Sequence, residues 1–149
     1  MKRLLTLILL SVGVIAFIVW SYQRKEVIGK KYLKINNTEV IVELARSDAE
    51  RAKGLGYRDT LPENTGMLFV FNDAKRWDFW MEGMRFGLDF LWIENERVVD
   101  ITESVPPPNE TGNVPVFVRP RTEVHYVLEV NKGWIQRHGL AIGDRVEFH

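Results

Sequence analysis

The alternation of apolar and polar positions divides this chain into two unlike parts. From Leu4 to Trp20 no charge interrupts the apolar run LLTLILLSVGVIAFIVW. With Ser21 and Tyr22 it reaches the ~20 residues that a helix needs to span a bilayer. Trp20 and Tyr22 stand where interfacial aromatics are expected. Past residue 31 a period of two takes over, the signature of half-buried strands. Leu33 and Ile35 flank Lys34, and Val40, Val42 and Leu44 alternate with Ile41 and Glu43. Asn36-Asn37 suits a tight turn with positive φ, so residues 31–45 are expected to form a β-hairpin.

Ser47-Asp48-Ala49-Glu50 has the pattern of a capping box. The helix it opens must be short, because Gly54 and Gly56 follow within two turns. Residues 57–66 carry turn residues at Pro62, Asn64 and Gly66. Met67 to Phe71 is a short, wholly apolar run and suits a strand buried on both faces. Trp77, Phe79 and Met81 alternate with Asp78, Trp80 and Glu82. Leu88, Phe90 and Trp92 alternate with Asp89, Leu91 and Ile93, and Asn95 marks a turn into Val98–Ile101. Pro106-Pro107-Pro108 opens a rigid, extended loop expected to reach Pro115. A short strand is expected at Val116–Val118. A stronger one carries Val124, Tyr126, Leu128 and Val130. A short helix at Trp134–His138 should end at Gly139, and a last strand runs from Arg145 to Phe148.

Many short strands and two short helices predict a mainly β fold of sandwich, barrel or jelly-roll type, preceded by one N-terminal transmembrane helix. The partition is 1–22 for a membrane anchor or signal peptide, 23–31 for a tether, and 32–149 for a single β-rich domain. A cleaved signal normally has a shorter apolar core with an A-x-A-like exit, and the best exit here, Val19-Trp20-Ser21, is weak. Residues 4–22 are therefore expected to sit in the lipid bilayer as a single pass. Lys2, Arg3 and the amino terminus on one side, against Arg24, Lys25 and Glu26 on the other, favour a domain outside the cytoplasm. Signal cleavage would leave the same domain secreted or periplasmic.

Charge and composition narrow the function classes. From residue 27 onward the chain has 16 basic and 19 acidic residues, a net of −3. Such a domain offers no basic face for nucleic acid. The chain has no cysteine, which removes disulfides, thiolate chemistry and thiolate-bound zinc. His125, His138 and His149 show no metal-ligand spacing, so no metal and no cofactor is expected. No G-x-S-x-G elbow occurs either.

Two kinds of residue remain. Asp78, Glu82 and Asp89 lie on aromatic-rich strands, and a pair of carboxylates can cleave a glycosidic bond. They are the catalytic candidates of a carboxylate-dependent hydrolase acting on an envelope polysaccharide. Strand alternation accounts for acids at these positions equally well. Asp89, between two apolar residues, requires a partner if it is buried, and Arg58 is the expected one. The second kind is the cluster Trp77, Phe79, Trp80, Met81, Met84 and Phe86, too aromatic for one strand face. A surplus of this sort marks a binding groove or partner surface. The favoured reading is a binding module for a small ligand, a glycan or an envelope protein. Its expected ligand-binding residues are Arg58, Met67, Trp80, Met81, Met84 and Asp89, with no catalytic set assigned.

Three motifs in order, Gly54-Leu55 with Arg58, Gly66-Met67-Leu68-Phe69, and Trp80-Met81 through Leu88-Asp89, resemble the bacterial and archaeal domain of unknown function 192 family. Leu128-Glu129 and Gly143-Asp144 add to the likeness, which covers roughly residues 30–149. That family commonly has Lys-Asn-Thr after the Trp-Met pair, where this chain has Glu82, Gly83 and Met84. The resemblance implies a β-rich domain, often exported or anchored, and implies no activity, substrate or cofactor.

Overall fold

The structure is a computed structural model and describes residues 31–149 apart from Pro115. The expected anchor and most of the tether lie outside the described residues. No helix among those described is long and apolar enough to cross a membrane. Lys31–His149 is a compact unit with its own core.

Nine strands and two short α-helices follow one another: β1 (Lys31–Ile35), β2 (Thr38–Ala45), α1 (Asp48–Lys53), β3 (Thr65–Lys75), β4 (Phe79–Trp80), β5 (Leu88–Glu94), β6 (Arg97–Val105), β7 (Phe117–Val118), β8 (Val124–Asn131), α2 (Trp134–His138) and β9 (Val146–Phe148). Seven strands form one sheet in the order β6-β5-β8-β3-β2-β1-β9, and β4 pairs with β7 in a separate two-stranded ribbon. All pairs are antiparallel except β2 with β3. The mainly β expectation with two short helices holds, and the sheet settles which of the expected architectures forms. Instead of two stacked sheets in a jelly roll, one sheet curls on itself. Its edge strands meet at one end, where Val98 N–H donates to the Asp144 carbonyl (2.9 Å) and Val146 N–H to the Glu96 carbonyl (2.8 Å). Parallel β2–β3 pairing is possible because α1 and the loop after it supply the crossover that such pairs require.

Local signals explain most elements. Asn36 takes φ 51° as the first central residue of the β1–β2 turn, while Asn95 and Glu96 take 50° and 57° in the β5–β6 turn, the positive φ at both central positions that a type I′ hairpin requires. Ser47 Oγ accepts from Glu50 N–H while the Glu50 carboxylate accepts from Ser47 N–H, so both arms of the capping box form. Gly139 ends α2 in the left-handed conformation. The alternation around Trp77–Met81 yields only the two-residue β4, because its partner is the equally short β7. After the three prolines the chain makes a single turn of 3-10 helix at Pro108–Glu110, where an extended loop was expected.

Alternation along the curled sheet sorts the core into two clusters. The inner one contains Leu33, Ile35, Val42, Leu68, Leu91, Leu128 and Val130, with Trp134 and Ile135 of α2 packed in among them. The outer one contains Met67, Phe69, Phe90, Trp92 and Val127 on the other face. It is covered by Leu55 and Leu61 from the segment after α1, and by Phe79, Met81 and Met84 from the β4 region. This cover is thin and loop-built, and the candidate site lies within it.

Candidate functional site

Strand register sets one row of alternating polar and apolar residues across the outer face. Glu43 on β2 stands opposite Met67 on β3, Met67 opposite Glu129 on β8, Glu129 opposite Phe90 on β5, and Phe90 opposite Thr102 on β6. Paired residues share a face, so Glu129 projects from a central strand into the aromatic cluster. Its neighbours Leu128 and Val130 point the other way, into the inner cluster. Gly66 lets β3 lie close against β8, because a Cβ there would lie 2.5 Å from the Glu129 carbonyl oxygen.

Glu129 is 5% exposed. Among the described residues no side-chain or backbone group hydrogen-bonds its carboxyl. It lines a cavity of about 250 Å³ whose other walls include Phe69, Phe79, Trp80, Met84 and the Gly54–Gly56 turn. Burial pushes its pKa up to about 8, against an opposing pull from the Arg58 charge. The group is therefore a carboxylic acid at neutral pH: a proton donor in a greasy hollow.

The walls are built for shape. Phe71 and Trp77 stack at 4.0 Å, capped by Arg51 over Phe71 (5.1 Å) and Lys75 over Trp77 (5.2 Å). Phe79 meets Phe69 edge to face at 4.9 Å and Trp92 at 5.5 Å, an arrangement that favours rigid walls. Trp80 sits beside Phe79 on the β4–β7 ribbon but turns outward, half exposed. Gly83 takes φ 71° and packs against the Tyr57 ring, so near that a Cβ would come within 2.9 Å of it. That contact clamps the Glu82–Met84 turn to the Gly54–Arg58 segment, and Tyr57 N–H donates to the Gly83 carbonyl (2.8 Å).

The sequence-predicted residues distribute unevenly around this cavity. Trp80 and Met84 line it. Met67 and Met81 are core residues, 6% and 1% exposed, packed in the outer cluster. Arg58 is not the partner of Asp89. Its guanidinium holds Glu43 through two hydrogen bonds of 2.6 and 2.7 Å, which keep the Glu43 carboxylate below its usual pKa. Asp89 is fully buried and faces the inner side of the sheet, away from the cavity. Its carboxyl accepts from the backbone N–H of Ser104 (2.7 Å) and of Ile135 (3.1 Å), which ties β6 and α2 to β5. Backbone donors took the role expected of Arg58, because the loop before α2 folds back over the end of β5.

Asp78 and Glu82, the other two acids, are exposed and lie at the cavity rim. Asp78 is held ionised by hydrogen bonds and charge from Arg119, which lower its pKa. His125 Nδ1 lies 2.8 Å from Glu94, and His138 Nδ1 lies 2.8 Å from the Trp134 carbonyl. Among the described residues no three His, Asp or Glu side chains gather as metal ligands.

Sequence reasoning passed over Glu129 as a functional residue. The signal was present: an acid in the alternation of β8, flanked by Leu128 and Val130 and placed on the same side as Val127. Only the neighbouring strands show that this side is covered.

A mainly β domain with a lipophilic, acid-floored cavity is the class that fold and site define. The family model described as DUF192, uncharacterized ACR, matches residues 31–148, and the chain belongs to that family. A crystal structure of a candidate transcription regulator from Sinorhizobium meliloti is similar over 79% of this chain and 91% of its own, at 31% identity and TM-score 0.70. One of a protein of unknown function from Novosphingobium aromaticivorans is similar over 78% and 82%, at 30% identity and TM-score 0.68. No curated protein matches the sequence.

Proposed function

We propose that this chain is a membrane-tethered binding module outside the cytoplasm and that a small molecule seats in the Glu129 cavity. One observation carries the reading: a carboxyl on a residue only 5% exposed, with no hydrogen-bond partner among the described residues, opens onto a hollow lined by rings. A polar group this far from the surface is normally hydrogen-bonded by the protein itself. A partner that arrives from outside supplies what the fold withholds. Trp80 and Met84 serve as wall contacts, while Arg58 acts at one remove, by fixing Glu43 and biasing the Glu129 proton. The apolar N-terminal run supports the tether, and protease accessibility of the domain in intact cells versus lysed cells tests its side.

The binding reading is tested by a fragment screen against the full chain in maltoside micelles, followed by the indole resonances of Trp77 and Trp80. Binders that shift these signals, and lose their effect in a Glu129→Leu variant, support it. A diverse set that leaves both indoles unmoved refutes it.

A carboxylate-dependent hydrolase is the second reading, favoured by one contrast. Glu129 retains its proton to about pH 8, while Asp78 on the same cavity is held ionised. Two carboxyls pushed apart in this way are the usual acid and base of glycoside cleavage. Turnover of chromogenic glycosides that vanishes in Glu129→Gln would favour it over simple binding.

A further inference from the structure

We infer that the Glu129 cavity selects a small organic cation, a ligand with an ammonium head, and that Glu129 becomes its counter-ion by giving up a proton. The inference rests on the binding role proposed above and names the ligand class for that site. Three features support it. First, acids outnumber bases around the cavity, and Arg51, one of its two basic residues, is already paired with Asp48. Its apolar lining is Leu55, Phe69, Phe79, Trp80 and Met84, and its ionisable residues are the acids Asp48, Asp78, Glu82 and Glu129 against the bases Arg51 and Lys53. Once Glu129 ionises, this excess of negative charge favours a positive ligand. Second, aromatic faces attract cations, most of all weakly hydrated ones that shed water easily. This region already shows the preference, with Arg51 and Lys75 seated over Phe71 and Trp77. Third, a hard metal ion needs several oxygen ligands, and among the described residues no three acids or histidines gather to supply them. An ammonium head needs one counter-charge and apolar walls.

Charges around the cavity agree with this sign. Asp48, Arg51 and Lys53 of α1, with Asp78 and Glu82 from the β4 side, sum to −1 before Glu129 ionises. Two of the acids are engaged, Asp48 with Arg51 and Asp78 with Arg119. Arg58, held by Glu43, is the remaining cation that acts on Glu129. Binding at neutral pH displaces the Glu129 proton, which weakens the apparent affinity by about tenfold for each unit that pH lies below the group's pKa.

Calorimetric titration of the full chain in maltoside micelles, which carry no ammonium group, tests this with three probes of one shape. They are choline, its neutral isostere with carbon in place of nitrogen, and the carboxylate of the same carbon skeleton. Choline is expected to bind at least tenfold more tightly than the neutral isostere, and the carboxylate not at all. Its affinity should rise roughly 50-fold between about pH 6 and pH 8, with nearly one proton released per ligand near pH 6. In Glu129→Gln the preference for choline over the isostere should disappear, while the isostere binds as before. A neutral isostere that binds as well as choline, or a choline affinity that falls as pH rises, overturns the cation inference and leaves the cavity reading standing. So does a Gln variant that keeps the preference. Absence of binding by all three overturns the inference too, and the fragment screen then decides the cavity reading separately.

Discussion

Replacing Glu129 by Gln should make the protein more stable, by an amount that depends on pH. In the folded state the acid keeps its proton up to about pH 8, against an ordinary value of 4.5. An unfolded chain releases that proton at the ordinary value. The folded state thus binds more protons than the unfolded one between these two pH values, and stability falls as pH rises through the window. Integration from about pH 5 to pH 8 gives a loss of about 3–4 kcal/mol from this one group. That is a large share of the ~5–15 kcal/mol that holds a domain of this size together. Gln has nearly the same shape and cannot ionise, so the variant loses this dependence. Urea denaturation of the Lys31–His149 unit, wild type against variant, reads the difference directly. The gap between the two midpoints should widen by roughly 2 M urea over the window, taking about 1.5–2 kcal/mol per molar for the slope. The comparison cancels the histidines, which both proteins share. Stability curves that run parallel from pH 5 to pH 8 would refute the reasoning, as would a Glu129 carboxyl carbon that titrates at the ordinary value.

Four further outcomes follow from the geometry. Asp89→Ala should destabilise by about 3 kcal/mol, because it strands the Ser104 and Ile135 N–H groups in the interior, and thermal unfolding measures it. Gly66→Ala should cost about 2 kcal/mol or more, since its Cβ has no space beside the Glu129 carbonyl, and the same assay checks it. Trp80→Ala should leave stability within about 1 kcal/mol, because the ring is half exposed, yet weaken ligand binding about tenfold; unfolding and titration separate the two effects. Acidification acts through other groups: Glu43, bonded by Arg58, has a lowered pKa, so its contribution is present above the ordinary carboxylate range and lost as pH falls through its folded value. Arg58→Gln should therefore flatten the acid limb of the stability profile, and should also raise the Glu129 pKa further by removing the opposing charge.

Much of the fold is written locally. The Asn36-Asn37 turn, the Ser47 capping box, the β8 alternation and the Gly139 cap each follow from a few adjacent residues, because turns, caps and strand faces are short-range chemistry. The two exposed-or-buried ambiguities of the aromatic segment could not be resolved in the same way. Trp80 and Met81 are neighbours with opposite fates, half exposed and 1% exposed, and that split depends on β7 arriving from thirty-odd residues away.

The site itself is where local reading stops. Sequence by itself determined that the domain is β-rich, acidic, free of thiols and supplied with more aromatic side chains than one strand face needs. Tertiary structure alone decided that Asp89 would be a structural anchor on the inner face and Glu129 the acid on the outer one. Both acids sit between apolar neighbours in strands buried on both sides, so their patterns are nearly identical. What separates them is which partners the fold brings: two backbone N–H groups reach Asp89, whereas Glu129 faces rings and a cavity. Strand register and loop closure set those meetings, and neither is encoded within a few residues of the acid.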